Sequence, residues 1–80
     1  MQDVGARLAG CFRAVFPDLP EANILFASQD TVDEWDSVAA ITLVNVIEEE
    51  FSTQIDFDRL PELDTFKKIL EYLTVDRGVN

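Results

Sequence analysis

Asp33-Glu-Trp-Asp-Ser-Val-Ala-Ala-Ile-Thr-Leu-Val-Asn-Val-Ile-Glu-Glu-Glu-Phe51 is the stretch around which the rest of the chain is arranged. From Val38 onward apolar residues recur at Ala40, Leu43, Val44, Ile47 and Phe51, the spacing that lines one face of a 3.6-residue helix. The spacing predicts a helix over 37–51. Asp36 is its expected N-cap, with the carboxylate accepting a backbone N–H at Val38 or Ala39 and gaining from the positive end of the helix dipole. Ser37 then stands at the helix mouth with its hydroxyl free to point outward.

Upstream, Val4, Leu8, Cys11, Phe12 and Val15 share a helical face over about residues 3–16, and Pro17 stops that helix. Residues 17–36 hold two prolines and no sustained period, which predicts a long connection with one helical turn near Glu21 to Leu25. Its apolar residues Leu19, Ile24, Leu25, Phe26, Val32 and Trp35 are expected to pin it to the core. Downstream, Ile55 and Phe57 are expected core contacts, and Asp56 is expected to cap a short helix that runs through Leu60 and ends at Pro61. A final helix capped at Asp64-Thr-Phe carries Phe66, Ile69, Leu70 and Leu73 at i, i+3, i+4 and i+7, and residues 76–80 are expected to form a mobile tail. Strand-like alternation is absent. The expected fold is all-α: a small antiparallel bundle of three longer helices and one short one, with a long first loop. Eighty residues imply one domain over 1–80, with an ordered core of about 3–75.

Sixteen acids stand against six bases, a formal charge of −10, so binding to nucleic acid phosphates is excluded as a function class. From Ala14 through Asp58 there is no Lys or Arg at all. Basic protein surfaces are the natural partners of such a chain, and a solvated surface kept for solubility is the alternative. The N-terminal residues lack the pattern of a signal peptide, and no apolar stretch is long enough for a membrane span. A cytoplasmic monomer is expected. Cys11 falls in step with the first helix's apolar face and reads as a buried structural thiol.

The chain has no histidine, so the usual general base near neutral pH is missing, as are the arrangements of Ser with His or Cys with His that support nucleophilic catalysis. Clusters of His and Cys for zinc are equally lacking, and Glu48-Glu-Glu50 does not match a calcium loop. The reading is a protein that is not an enzyme and has no metal site. Ser37 is therefore something acted upon. A helix N-terminus favours an anion such as a phosphate, although a serine there also serves simply to start a helix.

Asp36-Ser37-Val38, the apolar stripe behind it, Glu48-Glu-Glu-Phe51, Ile55 and the capped Asp64-Thr-Phe helix together resemble the acyl carrier proteins, over about residues 4–74. In that family Asp-Ser-Leu opens the second helix and Glu-Glu-Phe closes it. The resemblance implies that a phosphopantetheinyl transferase attaches 4′-phosphopantetheine from coenzyme A to Ser37, and that the arm's thiol carries an acyl group as a thioester. It also implies that Asp36 contributes to transferase recognition.

Val38 departs from the family leucine and should keep an apolar docking contact beside the arm. The outward positions Ala39, Thr42 and Asn45 are uncharged, which leaves Glu48 and Glu49 as the acids of the expected partner-facing strip. Acyl-loading and acyl-processing enzymes with basic docking surfaces are the implied partners, in a specialised lipid, polyketide or related pathway and not simply the housekeeping fatty acid machinery. Trp35 resembles the subgroup with Trp-Asp-Ser, many of them specialised stand-alone carriers, and reads at least as well as an aromatic plug for the long loop as it does as a contact with cargo. The gap expected beside Leu43, Val44, Ile47, Phe51, Ile55, Ile69 and Tyr72 would admit an acyl chain or serve as an ordinary core. An aminoacyl or peptidyl carrier, and an acidic helical interaction domain without any arm, remain as alternatives.

Overall fold

The computed structural model of the chain describes residues 3–76 and 78, and its main helices begin where the sequence supplies side-chain caps. Asp3 Oδ1 accepts the Ala6 N–H at 2.7 Å and opens α1 (Val4–Val15). The connection that follows contains one short helix, α2 (Glu21–Ile24), at the expected place. Asp36 opens the longest helix, α3 (Ser37–Phe51), and Thr65 opens α4 (Phe66–Glu71). Among the described residues there is no strand, only an isolated antiparallel bridge between Ser28 and Thr65. The fold is the expected all-α, acyl-carrier-like bundle.

The cap of the last helix falls within the expected Asp64-Thr-Phe, whereas the short helix before it departs from the expectation. At α4 it is Thr65 Oγ1 that accepts the Lys68 N–H, at 3.0 Å, while the Asp64 carboxylate lies 3.2 Å from the Lys68 ammonium. Residues Phe57–Glu62 form a 3₁₀ helix that passes through Pro61 instead of ending before it. Its ladder runs three residues back, as in Arg59 N–H to Asp56 O and Leu63 N–H to Leu60 O, both at 3.0 Å, so one missing donor at Pro61 costs little. Asp56 makes no side-chain cap there. Its own N–H donates to the Tyr72 hydroxyl at 3.1 Å. Beyond Glu71 the last helix widens into a π-helix over Tyr72–Asp76. The Thr74 hydroxyl takes the Leu70 and Glu71 carbonyls at 3.0 and 3.3 Å, competing with backbone donors for the same oxygens.

The core joins the apolar faces of α1, α3 and α4. Ala40, Leu43, Val44, Ile47 and Phe51 are all buried, as their spacing requires. Phe12 lies at the meeting point of three elements: its ring is 5.3 Å from Trp35, 5.2 Å from Phe66 and 6.0 Å from Phe16. Three expected core positions, Leu25, Phe26 and Phe57, are exposed, and Val15, Leu19 and Leu70 are half-buried against the core. Phe16 takes the place of Val15, and Ala27 is buried instead of Leu25 and Phe26, because α2 lasts only one turn and buries Ile24 alone. Leu63 closes the 3₁₀ side of the core.

Arg7 ties α1 to the end of α3. Its Nε donates to Glu50 Oε2 at 2.8 Å, its Nη2 to the Glu50 carbonyl at 2.5 Å, and its guanidinium sits 4.5 Å over the Phe51 ring. That cation also complements the negative end of the α3 dipole. Cys11 is buried, and this burial, with the Glu50 charge nearby, pushes its thiol from 9.0 up to about 11. Few thiolates exist near neutral pH, so Cys11 is a packing residue. The expected mobile tail lies largely outside the described residues.

Candidate functional site

Two backbone hydrogen bonds strap the first loop to the start of α4: Gln29 N–H to Asp64 O at 2.9 Å and Phe66 N–H to Ala27 O at 3.0 Å. From there the chain turns tightly, with Val32 N–H bonded to Ser28 O and Trp35 N–H to Val32 O. Buried Val32 and Trp35 anchor these turns in the core. The packed connection therefore delivers Asp36 and Ser37 at a fixed place on the rim of the bundle.

At that rim Asp36 Oδ1 accepts the Ala39 N–H at 2.8 Å, one of the two donors expected for it. Ser37, the first residue of α3, is exposed, and its hydroxyl has no hydrogen-bond partner among the described residues. The N–H groups of a helix's first turn lack intrahelical partners, so donors surround the point where the Ser37 hydroxyl leaves the chain. Asp36→Ala should cost about 1 kcal/mol through loss of the cap. A urea midpoint unchanged from the parent protein would contradict that assignment.

Behind this rim, between α3, the 3₁₀ helix and α4, lies an apolar void of about 10 Å³ lined in part by Trp35, Leu43, Val44, Ile47, Ile55 and Ile69. Two residues expected to line it do not. Phe51 sits under Arg7, and Tyr72 turns its hydroxyl to the Asp56 N–H. The void approaches the size needed for a single water, so the side chains must part before anything larger enters. Next to it, sharing Leu63, an open groove of about 520 Å³ is lined by Arg59, Lys68, Glu62 and Glu71. Among the described residues no group of three or more His, Cys, Asp or Glu is placed to hold a metal, and no helix is long and apolar enough to cross a membrane.

A family model described as a phosphopantetheine attachment site matches residues 18–73. The chain belongs to that family. No curated protein and no solved structure gives a match. Members of the phosphopantetheine attachment family are carriers, not catalysts, and bear 4′-phosphopantetheine covalently. An exposed, unpartnered hydroxyl beside free helix N–H groups fits a phosphodiester link of that kind. As a carrier domain the chain must meet a phosphopantetheinyl transferase and the enzymes that process its cargo.

The outward face of α3 in this carrier differs from the sequence expectation in three ways. Val38, Thr42 and Asn45 are exposed as expected, but Ala39 is half-buried against the core, about 100° around the helix from Val38. Glu48 is also half-buried. Its Oε2 accepts the Ile55 N–H at 2.9 Å and braces the turn after α3, where Ser52 adopts a left-handed φ of 51°. Glu49 alone of the two expected acids stays exposed. The third difference is a residue the sequence reading passed over. Ile41 is 45% exposed and lies one turn from Val38, which is 73% exposed, so the strip carries an apolar pair. The spacing of Val38 and Ile41 at i, i+3, opposite the buried stripe, is the signal that marks it.

Proposed function

We propose that this chain is an acyl carrier protein whose 4′-phosphopantetheine arm is attached at Ser37. The observation that carries this reading is the exposed, unpartnered Ser37 hydroxyl at the mouth of α3, held by a buried and strapped loop. When bound, the arm supplies a terminal thiol that holds cargo as a thioester. The chain's own residues perform the rest. Asp36 fixes the first turn of α3 and presents a carboxylate to the transferase, and the α3 dipole favours the phosphate that Ser37 would bear.

Incubation with coenzyme A and a promiscuous phosphopantetheinyl transferase tests this. Labelled coenzyme A should mark the parent protein and leave Ser37→Ala unmarked; equal labelling of both would place the arm elsewhere. Partner choice is read on Val38, Ile41, Thr42, Asn45 and Glu49, a nearly neutral strip within a strongly acidic chain. This combination supports a specialised acyl pathway with enzymes that present an apolar contact ringed by basic residues. Their association should weaken as ionic strength rises. Binding indifferent to salt would contradict the electrostatic part.

An aminoacyl cargo is the second reading, and the small volume of the void favours it, because such a cargo would stay outside the bundle. The apolar lining of that void, with no buried charge, favours the acyl reading.

A further inference from the structure

Trp35 is only 4% exposed, yet its indole Nε1 has no hydrogen-bond partner among the described residues. Native interiors retain few such groups, because a buried donor without an acceptor loses its hydration and gains nothing in return. Every other residue lining the adjacent void is Ala, Val, Leu or Ile, so Trp35 is the one lining residue whose side chain carries a hydrogen-bond donor. A trapped water is a poor remedy. It needs two or more polar partners, and the lining side chains offer one.

The indole is also held in place. Its ring packs on Phe12 at 81° and on Phe16 at 5.8 Å, and the backbone N–H of Trp35 is bonded to Val32 O at 3.0 Å. Trp35 lines the void between α3, the 3₁₀ helix and α4, so cargo that enters the bundle there meets its indole. Resting on the acyl carrier reading above, we propose that Trp35 is a cargo-selecting residue. Its Nε1–H donates to an oxygen substituent, hydroxyl or keto, on the inserted chain. An oxygen-bearing acyl group is thereby held in preference to a saturated one of equal length. The donor is already desolvated and ordered, so an acceptor that reaches it restores a bond at little further entropic cost.

Trp35 is the sole tryptophan, so its indole N–H gives a single resonance in a nitrogen–proton correlation spectrum of the full chain. The protein carrying its arm is loaded with a 3-hydroxyacyl group and, separately, with the saturated acyl group of the same length. The hydroxyacyl form should move the indole N–H downfield and slow its exchange with solvent about tenfold, the equivalent of one hydrogen bond of ~1.4 kcal/mol. The saturated form should do neither. Cleavage of the thioester by hydroxylamine, each rate taken relative to the same acyl group on free pantetheine, should be slower for the hydroxyacyl cargo in the parent protein and equal for both cargoes in Trp35→Phe. Identical indole spectra for the two loaded forms, or discrimination that survives in Trp35→Phe, would overturn the proposal while leaving the carrier reading intact. A parent protein that accepts no arm at all would overturn both.

Discussion

Phe12→Ala should destabilise the protein by about 3–5 kcal/mol, at the upper end of single-residue effects. Phe12 is fully buried and its ring contacts Trp35, Phe66 and Phe16, so it joins α1, the first loop and α4 in one cluster. Truncation forfeits the transfer energy of the ring, leaves a cavity and removes tilted and edge-to-face contacts worth about 0.5–1.5 kcal/mol apiece. An 80-residue chain has roughly 4–12 kcal/mol of stability in total, at 0.05–0.15 per residue. The variant should therefore be marginal. Loss of the Phe12 ring also frees Trp35, and with it the loop that presents Ser37. Urea unfolding followed by far-ultraviolet circular dichroism measures the effect, and a loss below about 1 kcal/mol would show that Phe12 is not the keystone described.

Ile47→Ala should cost about 2–5 kcal/mol, whereas Val38→Ala on the same helix should stay within about 0.5 kcal/mol of the parent. The contrast follows from position. Ile47 is 1% exposed and lines the void, and Val38 is 73% exposed on the outer strip. Removing the larger part of the Ile47 side chain would enlarge the apolar void, at roughly 24 cal/mol per Å³ left unfilled. Comparable losses in the two variants would mean that the two faces of α3 have been assigned wrongly.

The helix behind Ser37 was the most legible part of the chain, because a 3.6-residue period is a local signal and its five core positions are all buried. The Asp36 cap was legible for the same reason: donor and acceptor lie three residues apart. What escaped depends on contacts that periodicity does not encode. Glu48 looked like a solvent-facing acid, and only the left-handed turn at Ser52 brings the Ile55 N–H back to it. Phe26 looked like a core residue, but the one-turn length of α2 leaves it outside, with the Lys67 ammonium 5.6 Å from its ring centroid. Trp35 was read as an aromatic plug, and it is one. That its Nε1 would be left without an acceptor depends on which neighbours close around it, and those come from α1, α3, the 3₁₀ helix and α4.

The central claim is that one hydroxyl, Ser37, carries the arm. Tandem mass spectrometry of peptides from protein treated with coenzyme A and a phosphopantetheinyl transferase reads this directly. A phosphopantetheine adduct should fall on the peptide containing Asp36-Ser37-Val38 and localise to Ser37, with Ser28, Thr42 and Ser52 unmodified. An adduct localised to any of those other hydroxyls, or none after exposure to several transferases, would contradict it.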